Sequence, residues 1–203
     1  MNAPKTSELV PGLIPEHEGV GKLLQRDYWG VIEACRVSPV ALMADVVRKF
    51  PEFAPPALVA FERKSGSEAG LELGDELLVT ITAAGTFEVR VVSKDEQSVT
   101  LATLSGHPEA GRITFGAYRS SSGEVIFHIR GRARASTQKF ALGYAAFGEA
   151  MQTNTWSDFI WSVACTFGTG VSGSIHADTR ELAAEPAGSA EDACSPTFLA
   201  RGG

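Results

Sequence analysis

Two consecutive segments decide the fold of this 203-residue chain: EVIFHIRGRARAS (residues 124–136) runs directly into TQKFALGYAAFGEAMQTNTWSDFIWSVAC (residues 137–165). In the first segment, apolar residues at odd numbers alternate with polar residues at even numbers, which predicts a strand with one dry and one wet face. The second segment is apolar and aromatic on almost every side, which predicts a long buried helix. Neither element can bury its apolar surface alone, so together they predict a sheet curled around a helix.

Upstream of this strand, the chain alternates strand-like segments with turn formers. A strand beginning at Tyr28 (YWGVIEACRV) is followed by a helix in SPVALMADVVRKF, which Ser38 caps, Pro39 opens and Pro51 stops. The next strand-like segments, separated by hairpin turn formers, are ALVAFERK, GDELLVTI, GTFEVRVVSK, SVTLATLS and RITFGAYRSS. The sequence therefore predicts an α+β fold, with a curved antiparallel sheet of about six to seven strands around a long C-terminal helix and a short helix after the first strand.

The two ends of the chain lack these patterns. Residues 1–25 contain prolines and glycines that interrupt helices and strand ladders, so a flexible N-terminal arm is predicted. Residues 168–203 are rich in Gly, Ser, Ala and Glu and poor in large apolar side chains, which predicts a disordered tail. The folded domain is predicted to span residues 26–167.

Composition and charge exclude several classes of function. A net charge of −6 provides no general positive field, so neither nucleic acid nor an anionic membrane surface is an expected partner. Three scattered cysteines predict neither a disulfide framework nor a metal site, and they fit a cytoplasmic protein. The sequence shows no signal peptide, no apolar run for membrane insertion, and no phosphate-binding, dinucleotide, serine-hydrolase or zinc-protease motif. We therefore expect no cofactor and no bound metal.

A more specific signal is TLSGHPEAG, from Thr103 to Gly111. Together with the strands that follow and a helix bearing a glutamine, it resembles a conserved family of bacterial and plant domains of unknown function, over roughly residues 71–162. In that family, the strand before the helix ends in a Ser-Arg-Pro triplet. Arg134 matches the arginine of this triplet and Gln152 matches the glutamine of the helix.

The chain departs from the family's pattern at three positions. Ala133 and Ala135 replace the serine and the proline, and Arg112 stands where an acidic residue is usual. The order of elements also resembles the helix-grip fold of the START and birch-pollen-allergen-like (SRPBCC-type) superfamily. This resemblance brings no established activity, but it implies an apolar cavity between the sheet and the terminal helix.

The candidate ligand-binding residues are those that can face the implied cavity: Arg134, Tyr144, Phe147, Met151, Gln152, Trp156, His107 and Glu109. The aromatic residues of the helix can equally be ordinary core. Arg134 is included because the resemblance singles it out at the junction of strand and helix. His107 and Glu109 are two proton-transfer groups close in sequence, although the surrounding glycines and proline predict a hairpin connection, where such side chains are usually solvated.

Two further placements stay open. The even-numbered residues from His128 to Arg134 share one strand face, where they either bind an anion or, as the pattern favours, lie on a solvated outer face beside carboxylates such as Glu88. Glu33 is a buried acid or base if its side of the first strand faces inward. It is simply solvated if Tyr28 and its neighbours at even numbers face inward instead.

The sequence thus supports functions of different classes. The first is binding of a small hydrophobic or amphipathic molecule in the cavity. The alternative is a cavity enzyme that promotes cyclisation, dehydration or isomerisation of a hydrophobic metabolite by shape and one or two acid/base groups. A weaker third possibility is an interaction protein whose arm and tail recruit a partner.

Overall fold

An open antiparallel sheet of eight strands forms the body of the computed structural model, which describes residues 6–64, 70–183 and 190–199, the side chains of residues 6, 7, 142–148 and 190 excepted. In chain order the strands are β1 (Val20–Ile32), β2 (Val59–Arg63), β3 (Glu76–Ile81), β4 (Gly85–Lys94), β5 (Ser98–Thr103), β6 (Glu109–Arg119), β7 (Val125–Ala135) and β8 (Val171–Leu182). Their order across the sheet is β2-β3-β4-β5-β6-β7-β1-β8. The predicted meander from β2 to β7 is confirmed, and β1 extends it by pairing with β7.

The helices that accompany the sheet in the described residues are α1 (Thr6–Leu9), α2 (Pro39–Arg48), α3 (Phe50–Phe53), α4 (Gln138–Phe167) and α5 (Ala190–Cys194). Helix α2 begins as predicted, because Ser38 Oγ accepts a hydrogen bond from the Ala41 N–H at 3.2 Å and Pro39 follows at the first position. Pro51, which was predicted to stop this helix, instead lies in the first turn of α3, where its missing N–H has no helical partner to lose. Within the described ranges, no helix is both long and apolar enough to cross a bilayer.

The long helix α4 lies on one face of the sheet, here called the inner face, against β1, β7 and β8. Phe159, Ile160 and Val163, from its C-terminal half, are fully buried in the main core. Gly30 of β1 permits this close approach, since a Cβ at that position would come within 3.1 Å of the Ile160 side chain. The predicted α+β architecture, a sheet wrapped around a long C-terminal helix, is confirmed.

The structure differs from the sequence prediction near both ends of the chain. The arm was expected to extend to residue 25, whereas β1 already begins at Val20 and pairs with both β7 and β8. The tail was expected to be disordered from residue 168, whereas Val171–Leu182 forms β8. Only Val171 and Ile175 of β8 pack against the main core. The strand forms without apolar periodicity because the ladder hydrogen bonds to its neighbour can hold an edge strand in place.

A second apolar cluster covers the opposite face of the sheet, here called the outer face. Leu9 and Leu13 from the N-terminal arm and Cys194 from α5 pack on Val92 and Leu104, on and just after the meander strands. The predicted arm and tail therefore contribute to a packed layer on the outer face.

Arg112 of β6 connects the two terminal segments on this face. Its guanidinium forms an ion pair with Glu16 of the arm and donates a hydrogen bond from Nε to the Ser195 carbonyl oxygen at 2.7 Å. Arg112 is therefore a cation that ties both terminal segments to the sheet.

Candidate ligand cavity

A cavity of about 600 Å³ lies between the inner face of the sheet and the N-terminal half of α4. Its apolar walls come from the strands β2 to β6 and from α4: Val59, Phe61, Val79, Ile81, Val89, Leu101, Ile113, Phe140, Met151 and Trp156. Trp156 lies where the cavity meets the main core, and its ring makes an edge contact with Phe115 at a centroid distance of 5.5 Å. The cavity is therefore an apolar chamber that continues the core along α4.

The cavity exists because of a change in side-chain size along β7. The inward-facing residues Phe127 and Ile129 are fully buried against the core, whereas the next inward-facing positions carry Gly131 and Ala133. A Cβ at Gly131 would have only one atom within 4.0 Å, the Cγ1 of Ile113. The side chains of β7 therefore fill the interior only along the first half of the strand.

A polar cluster interrupts the apolar wall around Glu109. The Nε2 of Gln152, from α4, lies 3.0 Å from each carboxylate oxygen of Glu109, and the Nη1 of Arg26, from β1, lies 3.6 Å from Oε1. The side chains of Arg26 and Glu109 are only 6% and 17% exposed. The opposite charges of Arg26 and Glu109 therefore compensate each other within the cavity wall, as burial of an ion pair requires.

His107 is buried beside this cluster. Its Nδ1 lies 3.0 Å from the Glu109 backbone nitrogen and 3.2 Å from the Glu109 carbonyl oxygen, and its ring edge packs on Phe87. Burial lowers the pKa of His107 below its usual value, although the neighbouring Glu109 carboxylate opposes this shift. The imidazole is accordingly neutral at pH 7.

Tyr28 of β1 also lines the cavity and is only 2% exposed. Its hydroxyl group is buried beside the Thr153 side chain. Burial raises the pKa of this phenol, while the nearby Thr153 hydroxyl acts in the opposite direction. The phenol of Tyr28 is therefore protonated at pH 7.

Five of the residues suggested by the sequence lie together on the cavity wall: His107, Glu109, Met151, Gln152 and Trp156. The contact of Gln152 with Glu109 brings together the helix glutamine and the acidic residue of the GHPEAG stretch. The side chains of Tyr144 and Phe147 lie outside the described residues, so their place in the cavity stays a prediction.

Two other suggested residues lie elsewhere. Arg134 is absent from the described cavity wall, because even-numbered residues of β7 face outward, and its Nη1 lies 3.5 Å from the Gly21 carbonyl oxygen. Glu33 is exposed just beyond the end of β1, while Tyr28 and Ile32 face inward, which settles the alternative left open for this strand.

Sequence reasoning missed Arg26 and Tyr28 as cavity residues. Both lie at even numbers on β1, whose inward face continues through Gly30 and Ile32. That alternation was hidden because the strand was expected to begin only at Tyr28. A strand started at Val20 would have placed Arg26 on the inner face.

The arginine-bearing face of β7 is charge-matched by a partner other than the predicted Glu88. Asp27 of β1 accepts hydrogen bonds from His128 Nε2 at 2.7 Å, from Arg130 Nε at 2.5 Å and from Gln25 Nε2 at 2.8 Å. Glu88 instead pairs with Lys64. The face is partly buried rather than solvated, because Phe198 of the C-terminal segment stacks on His128 at a centroid distance of 4.5 Å.

Comparison with known sequences gives one family. The sequence model of the family described as "Domain of unknown function (DUF1990)" matches residues 43–160. This range includes the GHPEAG stretch, β7 and Gln152. No curated protein sequence matches the chain.

Comparison with solved structures identifies the fold. A solution structure of KanY protein aligns with a TM-score of 0.54 at 9% identity, covering 73% of this chain and 99% of that one. A point mutant of norcoclaurine synthase from Thalictrum flavum, in complex with a transition-state analogue, aligns with a TM-score of 0.51 at 11% identity, covering 72% and 98%. At such identities the similarity shows the fold alone, and that fold is the helix-grip, birch-pollen-allergen-like one.

Proposed function

The chain belongs to the DUF1990 family, a family of domains of unknown function, and from that premise we propose that it binds a small hydrophobic or amphipathic molecule in the cavity between the sheet and α4. The observation that supports this proposal is the chamber of about 600 Å³, which lies within the range of about 300–1,000 Å³ typical of small-molecule sites. Such sites are mostly apolar and carry a few placed polar groups, and this chamber has that composition.

The polar cluster gives the proposed ligand an orientation. Gln152, Glu109 and His107 line one part of the wall, where a hydroxyl or carbonyl group of the ligand would bind. The apolar body would then lie against side chains such as Val89 and Leu101. Arg26 and Glu109 already neutralise each other, so a ligand charge buried beside them would gain no net counter-charge.

Prodan, a neutral naphthalene fluorophore with a ketone, is a suitable first probe. Bound prodan is expected to shift its emission to shorter wavelength and, at about 100 times its dissociation constant, to raise the melting temperature by about 5–10 °C. Gly131→Phe should fill the chamber from β7 and abolish both effects, since little else occupies the space at that position. Thermal melts and fluorescence titrations measure the two effects.

Arg134→Gln is the matched control, because its side chain lies on the outer side of the same strand. This variant is expected to bind prodan like the unaltered protein. If prodan and a wider set of neutral amphipathic probes all fail to bind the unaltered protein, or if Gly131→Phe binds them equally well, the proposed function is wrong.

The second candidate function is catalysis within the same cavity. It is favoured by one observation, the neutral and buried His107 beside the Glu109 carboxylate, which together could move a proton during a cyclisation, dehydration or isomerisation. The two candidate functions differ in the fate of the ligand. A binding protein returns its ligand unchanged after prolonged incubation, whereas mass spectrometry would detect a product from an enzyme.

The proposed partner is therefore a small molecule, with no nucleic acid, and the proposed compartment is the cytoplasm. Cys35, Cys165 and Cys194 are free thiols in the structure, as a reducing compartment would keep them.

A further inference from the structure

Strand β8 forms one edge of the sheet and extends over 12 residues. One side of it pairs with β1, and no other strand of the described residues occupies its second side. Most of its residues are exposed, and it contains no proline. An edge of this length offers a row of backbone donors and acceptors to another strand.

Two charged side chains of β8, Asp178 and Arg180, lie on the outer face of the sheet. Asp178 lies directly opposite Asp27 in the ladder, and Asp27 is an ionised carboxylate that already accepts hydrogen bonds from His128 and Arg130. Directly opposed like charges destabilise a sheet. Across the residues that the structure describes, neither Asp178 nor Arg180 has an ion-pair partner.

We propose that a second copy of this chain occupies the free edge, with the two β8 strands antiparallel and a twofold axis through Thr179, perpendicular to the sheet. In this register Asp178 lies opposite Arg180 of the partner subunit, and Arg180 lies opposite the partner's Asp178. Both pairs lie on the outer face, so each Asp178, which has Asp27 of its own chain on one side, gains a cation on its free side.

Neighbouring registers do not match the charges. An axis through Asp178 would oppose two aspartates, and an axis through Arg180 would oppose two arginines. An axis through Ala177 would leave Arg180 facing Ser174. Only the axis through Thr179 pairs both charges with their opposites on the same face.

The proposed contact is an open strand edge with ion pairs and no apolar core. Such an edge buries less area than a standard protein interface of about 1,600 Å², so a dissociation constant in the micromolar range is expected. The dimer lies away from the cavity, and it does not depend on the proposed function.

Charge reversal tests the register. In sedimentation velocity over a concentration series, the unaltered protein is expected to dimerise, and Asp178→Arg and Arg180→Asp should each weaken self-association at least tenfold by opposing like charges. An equimolar mixture of the two variants should associate again, because every Arg of one chain then faces an Asp of the other. The control Glu124→Arg, in the exposed turn before β7, should dimerise like the unaltered protein.

Both β8 side chains are exposed, so neither single variant is expected to have a lower melting temperature than the unaltered protein, which excludes unfolding as the cause of a lost dimer. A protein that stays monomeric at millimolar concentration overturns the proposal. So does a mixture of the two variants that associates no better than either variant alone.

Discussion

Asp27 accepts hydrogen bonds from three side chains on the outer face. Burial alone would raise the pKa of this carboxyl, but hydrogen bonds from His128, Arg130 and Gln25, together with the charge of Arg130, lower the pKa to about 2. The carboxylate is therefore ionised in the folded protein at every pH above about 2. In the unfolded chain the same group has a pKa of about 3.9.

The first prediction at the residue scale concerns Asp27→Asn. Removing the carboxylate leaves Arg130 without its counter-charge and His128 without its ionised acceptor, so the free energy of unfolding at pH 7 is expected to fall by about 2–3 kcal/mol, less than for a fully buried pair. Because the folded-state pKa is lowered, this contribution is complete above about pH 5 and is lost as pH falls toward 2. Urea unfolding of both proteins at pH 7, 5 and 3 measures it.

The difference in stability between the unaltered protein and Asp27→Asn should therefore shrink as the solution is acidified. A difference that is constant between pH 7 and pH 3 would contradict the assignment. Asp158→Asn is the matched control, since Asp158 is exposed on α4 and its substitution should change the free energy of unfolding by less than about 0.5 kcal/mol.

Residues of the candidate site differ in how far the sequence could locate them. His107, Glu109 and Gln152 were found through a motif and a helix position, and the structure brings them together on one wall. Arg134 was placed in the cavity because it resembled the family's arginine. The alternation along β7 was recognised, and it indicated that this even-numbered residue faces outward. Arg26 was missed because the strand was expected to begin only at Tyr28, which left Arg26 outside the predicted strand, and charged residues are usually exposed.

At the scale of elements, the C-terminal segment 190–199 is fastened to the sheet by specific contacts. The Thr197 N–H donates to Thr114 Oγ1 at 2.9 Å, and Thr197 Oγ1 donates to the Arg130 carbonyl oxygen at 2.9 Å. Phe198 then covers His128 and lies 5.4 Å from the Arg130 guanidinium carbon. The segment thus shields the charge network of Asp27 from solvent.

Two neighbouring residues of this segment give a matched test. Phe198→Ala is expected to lower the free energy of unfolding by about 1–2 kcal/mol. The substitution removes the stacking on His128 and exposes the charges of Asp27 and Arg130 to water. Leu199→Ala should change it by less than about 0.5 kcal/mol, since Leu199 is 76% exposed. Denaturant unfolding measures both, and equal effects of the two substitutions would mean that the segment does not pack on the outer face as described.

The elements with strong periodicity were predictable from sequence, and those without it were not. Strand β4 and helix α4 have apolar patterns and turn or cap signals at their ends, and the structure places them within a few residues of the prediction. Strand β8 has almost no buried residues, so its formation depends on the ladder with β1, a partner about 150 positions away that local patterns cannot reveal.

At the scale of the whole molecule, stability should be distributed unevenly across the sheet. β1 pairs on both sides and packs against α4, whereas β2 is a short edge strand of 5 residues at the opposite end. Amides buried in a doubly paired strand exchange only when most of the fold opens, while edge amides exchange through local opening.

Native-state hydrogen exchange is therefore expected to show its slowest amides on β1 and β7, with protection near the global free energy of unfolding. Amides of β2 should exchange at least tenfold faster, and those on the free side of β8 should be as fast in dilute, monomeric protein. NMR-detected exchange at several low denaturant concentrations measures this. Amides of β2 as slow as those of β1 would contradict the proposed distribution.

The packing of α1 against α5 has a practical consequence for engineering. These two helices lie near opposite ends of the described sequence but meet on the outer face, so a linker between residues 199 and 6 could close a circularly permuted gene opened at the exposed turn 120–124. Reporter domains or surface tethers attached at either helix would emerge on the side of the sheet that faces away from the chamber. A biosensor built in this way would leave the path of a small analyte unobstructed.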